Sequence, residues 1–251
     1  MKMTGNTILV TGGGSGIGRA LAERLHDRGN RVIVAGRRRA LLDEVVAGRD
    51  SMAAVEMDVA EAGGVAAAVA EVNARFPELN VLVNNAGISR PEDLTADAWD
   101  LDLAEATIAT NVTGVLRLTG ALLPSLRRQS NATVITTTSG LAHVPLASHP
   151  TYSATKAFLH SWLQSLRHQL RDAGVEVLEL APPYVQTELG GPQQATDPHA
   201  MPLDDYADEV MALLDAGDTP GGEILVQRVM SYREAERQGR YAEAFAQGNP
   251  V

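Results

Sequence analysis

No cysteine occurs among the 251 residues, which excludes disulfides and thiolate metal sites. Cationic excess is also absent. The formal net charge is −10, so phosphate backbones and anionic membranes would be repelled, which argues against nucleic-acid and membrane partners. No uninterrupted apolar run approaches the ~18 residues of a spanning helix. The opening stretch has only three apolar residues before its glycines, too few for a secretory leader. Internal repeats, heptads, low-complexity tracts and a linker-like break in composition are missing as well. The six histidines, at 26, 143, 149, 160, 168 and 199, follow no H-E-x-x-H or similar ligand spacing, so no metal is expected. What is present is a 45% hydrophobic chain, enough for a large core. The expectation is a soluble, intracellular, cytoplasmic protein of one α/β domain or two compact ones.

Short apolar runs alternate with helical patterns. Strands are expected at 6–11, 31–36, 52–59, 80–87, 132–140, 175–183 and 223–228. Helices are expected at 17–28, 40–47, 66–76, from beyond Leu94 to about Arg128, at 153–173 and near 204–216. Strands apolar on both faces and separated by helices imply an α/β fold, a parallel seven-stranded sheet covered on both sides. Ligands of such sheets bind beyond the carboxyl ends of the strands, so those ends carry the search for function.

The first end is T-G-G-G-S-G-I-G at 11–18. Glycines let backbone approach a phosphate, and the following helix N-terminus favours negative charge. Gly12, Gly16 and Gly18 form a T-G-x-x-x-G-x-G pattern. Gly13 and Gly18 have Walker-loop spacing, but Arg19 and Ala20 stand where an ATP site needs Lys and Ser/Thr. The second end, at 35–39, carries Gly36, Arg37 and Arg38 where an NAD site has a carboxylate. A guanidinium pairs with a 2′-phosphate that a carboxylate would repel, so NADP(H) is expected over NAD(H). Asp58 at the third end either accepts from an adenine amino group or caps a helix. Asn84 to Gly87, N-N-A-G, is either a close approach to a ligand or a structural turn.

Tyr152 and Lys156 stand one helical turn apart after the fifth strand, so they share a face near the same rim. A phenol ionises near ~10, and a neighbouring cation lowers that value, making it a usable acid or base. Alone, such a pair is ordinary surface decoration; its company is what gives it weight.

Taken together the motifs resemble those of the short-chain dehydrogenases/reductases. They are the glycine loop at 11–18, Asp58-Val59, N-N-A-G at 84–87, Asn111, Ser139, Y-S-A-T-K at 152–156 and A-P-P-Y-V-Q-T at 181–187. The resemblance spans about residues 5–230. It implies a Rossmann-like, doubly wound single domain at 1–230 and transfer of a hydride between nicotinamide and a ketone, aldehyde or secondary alcohol. Tyr152 would be the general acid or base, and Lys156 would tune it and hold the nicotinamide ribose. Ser139, with Thr138 as the alternative, would hold the substrate oxygen, and Asn111 would position a water. The implied cofactor cradle is Gly12, Gly14, Ser15, Gly16, Ile17, Gly18, Arg37, Arg38, Asp58, Val59, Asn85, Ala86, Gly87, Tyr152, Lys156, Pro182, Val185 and Thr187. Pro183 stands where the family motif has glycine, which alters the loop.

A Gly/Pro-rich connection at 188–203 has the character of a substrate lid. Ser139, Leu141, His143, Val144, Tyr152, Pro183, Tyr184 and Leu189 are the expected substrate-pocket residues, mostly apolar and without an arginine clamp for a carboxylate. Phe158, Trp162, Leu166 and Leu170 on one stripe, with Val115, Leu118, Leu122 and Leu123 on the preceding helix, predict a homodimer through these two helices, with a broader core as the competing explanation. The charged extension at 231–251 is expected to be helical. Two other functions share the fold: a non-catalytic NAD(P)-binding sensor and an NAD(P)-assisted epimerase or dehydratase.

Overall fold

The computed structural model describes residues 1–250; Val251, the last residue of the expected extension, lies outside them. Seven parallel strands form one sheet in the order β3-β2-β1-β4-β5-β6-β7. They are β1 (Thr7–Thr11), β2 (Arg31–Gly36), β3 (Met52–Glu56), β4 (Val81–Asn84), β5 (Ala132–Thr137), β6 (Val175–Leu180) and β7 (Glu223–Ile224). The order reverses between β1 and β4, which opens a crevice at the carboxyl ends of those strands.

Alternation along β1 divides the core in two. Ile8 and Val10 face α1 (Gly16–Asp27), α2 (Arg39–Val46) and α7 (Leu203–Ala216), through Leu21, Leu25, Leu42, Val45, Tyr206 and Val210. Leu9 points the other way, toward α3 (Ala62–Arg75), α5 (Gly114–Leu126) and α6 (Pro150–Leu170). Register makes that layer continuous: Leu9 pairs with Ile33 and Leu82, Leu82 with Val134, and Val134 with Val177. Two covered faces are why the strands are apolar at successive positions rather than alternating.

Several expected boundaries move, each for a local reason. The long helix starts later than Leu94: Asp93 folds back on the Thr95 N–H, and α4 (Leu101–Ile108) starts only where Asp100 accepts from the Leu103 N–H at 3.1 Å. A π-helical turn, Ala109–Thr113, joins α4 to α5. The resulting rod, Leu101–Leu126, is long and apolar enough to cross a membrane by length and composition. Here it is a core helix, with Leu118, Leu122 and Leu126 against the sheet and Asn111 and Thr119 buried as polar groups. β3 stops at Glu56 because Asp58 turns the chain, accepting from the Ala60 N–H at 2.9 Å. β7 keeps only two of its expected residues, since a 3₁₀ turn begins at Gln227.

The apolar stripe of α6 divides. Leu159, Leu163, Leu166 and Leu170 are buried, and Trp162 packs beside them, so core packing accounts for most of the stripe. Phe158 stays 45% exposed, and Leu101 and Ile108 of α4, which packs beside α6, are exposed as well. The extension is two short helices rather than one, α8 (Met230–Arg233) and α9 (Tyr241–Gly248). It folds back on the loop between β5 and α6: Ala235 and Ala244 cover Val144, and Asn249 accepts from the Ala147 N–H and donates to the Pro145 carbonyl.

Candidate active site

The glycine turn lies at the reversal of strand order. Gly12 and Gly16 adopt positive φ, 66° and 52°, which side chains rarely tolerate. Gly18 is required by space: a Cβ there would stand 2.4 Å from the Gly12 carbonyl oxygen and 2.5 Å from Asn85 Nδ2. Thr11 ties this turn to the end of β4. Its Oγ1 accepts from the Asn85 and Ala86 N–H groups at 2.9 and 3.0 Å, and its carbonyl accepts from Asn85 Nδ2. Gly14, Ser15 and Ile17 complete the turn, and Thr187 faces it, with its Cγ2 3.4 Å from where a Cβ on Gly16 would be.

Arg38 bridges the two rims. Its Nη2 donates to Ser15 Oγ at 3.0 Å, while Arg37 lies 3.8 Å from Asp58; both guanidinium groups are exposed. Val59 packs under Gly114, leaving no room for a side chain there. Asp58 acts as the turn cap noted above, and its other oxygen faces Arg37.

The third rim holds the four residues expected to carry chemistry. Tyr152 and Lys156, 7% and 4% exposed, lie in the first turns of α6 below Ser139, at the end of β5. Lys156 Nζ donates to the Thr137 carbonyl at 2.8 Å and sits 5.6 Å from the centre of the Tyr152 ring. Asn111 is fully buried in the π turn. Its Oδ1 accepts from the Ile88 N–H and its Nδ2 donates to the Ile88 carbonyl, both at 2.9 Å, with Thr155 Oγ1 at 3.2 Å. The wider turn aims this amide inward. Asn111 Oδ1 and Lys156 Nζ both approach Gly87, at 3.3 and 3.8 Å from where its Cβ would be.

One expectation is reversed. The Tyr152 phenol is pushed up to about 12 rather than lowered, because burial disfavours the phenolate more than the Ser139 hydroxyl helps it. Ser139 Oγ accepts from the Leu141 N–H at 3.1 Å. Burial lowers Lys156 to about 8, against the opposing pull of Glu179. In this state the pair is a neutral phenol beside a readily deprotonated ammonium.

A cleft of about 650 Å³ opens in front of Ser139 and Tyr152. Of the residues expected at a substrate pocket, Leu141, Pro183, Tyr184 and Leu189 line it; Pro182, expected in the cofactor cradle, lines it as well. His143 and Val144 do not line it. Val144 is covered by the extension, and His143 is turned behind the rim onto His160, ring centres 4.7 Å apart. Burial lowers His143 to about 4, hence neutral. Val185 is buried, bridged to Met201, so it shapes the segment instead of meeting solvent.

Residues that local pattern did not reveal complete the cleft, among them Ser89, Leu146, Arg228, Tyr232 and Gly248. Arg228 supplies the arginine the sequence had not suggested, with Nη2 donating to the His199 carbonyl at 2.5 Å. Nothing local marks Arg228, Tyr232 and Gly248, which arrive from the chain's far end, whereas Ser89 and Leu146 lie in the loops after β4 and β5. The 188–203 connection is a tied excursion. Gln194 Nε2 donates to the Val185 carbonyl at 2.7 Å, and Gln186 N–H to the Met201 carbonyl at 2.8 Å.

The short chain dehydrogenase family model matches residues 6–198. An uncharacterized oxidoreductase, DltE, from Bacillus subtilis (strain 168) is 40% identical over 251 residues, covering 99% of this chain and 98% of the relative. Among solved structures, a short chain dehydrogenase from Burkholderia cenocepacia J2315 in complex with NADP superposes with a TM-score of 0.82. It is 28% identical, over 97% of this chain and 98% of that one. The 3-ketoacyl-(acyl-carrier-protein) reductase from Brucella melitensis, complexed with NADH, gives 0.76 at 26% identity, over 84% and 91% of the two chains.

Proposed function

The chain belongs to the short-chain dehydrogenase family of NAD(P)-dependent oxidoreductases, and from that premise we propose that it is an NADP(H)-dependent carbonyl reductase with Tyr152 as its proton donor. The observation that carries the reading is the shared rim. The glycine turn, the Arg37–Arg38 pair and the Tyr152–Lys156 pair all border the crevice where strand order reverses.

The glycine turn and the α1 N-terminus would cradle the pyrophosphate, Arg37 and Arg38 the 2′-phosphate, and Lys156 the nicotinamide ribose. Thr187, beside the turn, suits the carboxamide. The nicotinamide supplies the hydride when bound. Ser139 would hold the carbonyl oxygen, and Tyr152, a neutral phenol, would deliver the proton to it. Asn111 holds the Ile88 backbone and the α6 face in register, a structural duty compatible with the water-positioning role that the resemblance implies.

The cleft favours a small or medium carbonyl with an apolar body, since leucine, proline, valine and tyrosine side chains give its wall a broad apolar surface. The test is loss of NADPH absorbance with purified protein and a panel of ketones and aldehydes. Binding of NADPH without turnover on any carbonyl, and of NADP without turnover on any alcohol, would favour the sensor instead. The same panel distinguishes the role of the extension. A chain ending at Arg240 loses Gly248 and the Asn249 ties from the cleft wall. Its KM for the best carbonyl is expected to rise about tenfold with NADPH affinity kept; an unchanged KM would remove the extension from the substrate site.

We also propose pairing of two copies through α4 and α6, covering Leu101, Ile108 and Phe158. Light scattering checks this, and a monomeric mass at micromolar concentration refutes it.

A further inference from the structure

Glu179, next to last in β6, is 1% exposed. Its register partner in β7 is Glu223, so two carboxylates face each other across adjacent strands. Like charges so placed repel unless each is paired. Glu223 is held by Arg233 of α8 in a two-point contact, 2.6 and 2.9 Å. Glu179 takes two other partners. Thr138 Oγ1 donates to it at 2.7 Å, and His160 Nδ1 lies 2.8 and 3.0 Å from its two oxygens.

Those partners flank the reactive pair. Thr138 lies between Thr137, whose carbonyl accepts from Lys156, and Ser139. His160 stands one turn beyond Lys156 on α6. The carboxylate therefore grips both the strand end that presents Ser139 and the helix that presents Tyr152 and Lys156.

The charged and titratable surroundings are few. On α6 they are Tyr152, His160 and Lys156, and Gln164 Nε2 touches His160 Nε2 at 3.1 Å. From the turn after β5 comes His143, neutral through burial. From β7 and α8 come Glu223 and Arg233, already paired. The hydrogen bond with this carboxylate raises His160, against the opposing effect of burial. Donor atoms of His143, His160 and Glu179 lie within 4.8 Å of one another. The nearby Arg233 guanidinium disfavours a divalent cation among them, and the short His160–Glu179 contact already satisfies the pair.

We propose that Glu179, held by Thr138 and His160, is a positioning residue for the reductase: it fixes the Thr137–Ser139 backbone against α6 and keeps Lys156 in its ammonium form. The assignment rests on the proposed function only in taking Lys156 as the group that meets the cofactor. Burial drives Lys156 toward the neutral amine, and the negative charge of Glu179 opposes that drive.

The experiment is NADPH binding, read by nucleotide fluorescence across pH, on the full chain and on Glu179→Gln. Glutamine keeps an acceptor for Thr138 and removes the charge. The pH above which affinity declines is expected to fall by about one unit in Glu179→Gln, with the two proteins converging below about pH 6. Glu179→Asp, which keeps the charge, is expected to restore the midpoint to within roughly 0.3 unit. Superimposable profiles would overturn the inference. So would an equal loss of affinity at every pH, which marks a packing role alone. Should Glu179→Gln fail to fold, His160→Gln reads the network from the other side. Loss of the imidazole leaves the carboxylate free of that partner, so a midpoint that holds or rises supports the proposal and one that falls overturns it. If the unmodified protein binds neither NADPH nor NADH, the proposed function itself fails, an outcome distinct from any shift of midpoint.

Discussion

Replacement of Tyr152 by phenylalanine is expected to slow carbonyl reduction by about 10³-fold, within the range set by loss of a general acid. Two features make the prediction sharp. Tyr152 is almost wholly buried at the cleft floor, so phenylalanine fills the same volume and the fold loses little. Its hydroxyl is also held neutral, pushed up to about 12, so at physiological pH it is a proton donor without prior ionisation. Lys156 keeps its bond to the Thr137 carbonyl in the variant, and the glycine turn is untouched, so NADPH affinity is expected to stay within about threefold. The check is kcat on the best carbonyl of the panel beside a nucleotide titration. A rate within tenfold of the unmodified enzyme would remove Tyr152 as the donor.

The same pair carries a pH dependence for reduction. Lys156, lowered to about 8, is an ammonium at neutral pH and loses its proton as pH passes that value. Reduction, which uses the phenol and the ammonium, is therefore sustained below about 8 and declines above it, well before Tyr152 ionises. The helix spacing alone suggested the opposite ordering, a phenol lowered by its neighbour. Spacing reports that two side chains share a face; it does not report how dry that face is. Desolvation outweighs the attraction of a cation that is itself losing its charge.

That difference marks what the sequence could and could not convey. The glycine turn, N-N-A-G and Y-S-A-T-K are local: each chemistry sits within one turn or one strand end, so its spacing survives in one dimension. The seven parallel strands were legible because two-sided burial writes unbroken apolar runs. His143 was misplaced because proximity along the chain to Ser139 says nothing of which side of the rim a loop residue turns toward. Arg228, Tyr232 and Gly248 enter the cleft from a segment that packs back over the β5–α6 loop, and no local pattern announces such a return. Glu179 was invisible for a related reason. An acidic residue in an apolar strand is unremarkable until its partners, from β5 and α6, are in place.

Cofactor choice is where the sequence made its most specific commitment. Arg37 and Arg38 follow β2, where a ribose-binding carboxylate would exclude a 2′-phosphate, and Gly36 leaves that place empty of charge. Changing both arginines to alanine is expected to weaken NADPH binding by about 10²-fold while changing NADH affinity by less than about threefold. Each charge-assisted contact to a phosphate is worth more than a neutral one. Both guanidinium groups are exposed, however, so solvent and salt screen them and the effect stays well below that of a buried pair. The loss should accordingly shrink as ionic strength rises. Gly36→Asp approaches the same question with the opposite charge. A Cβ at Gly36 meets nothing closer than Leu42 Cδ2, at 3.7 Å, so the side chain fits without rebuilding the strand end. Its carboxylate is expected to repel the 2′-phosphate and accept from ribose hydroxyls, moving preference toward NADH. Titration of both nucleotides against the two variants separates the terms. If neither variant alters the NADPH-to-NADH ratio, the 2′-phosphate does not sit at this turn, and discrimination must come from elsewhere along the adenine side of the crevice.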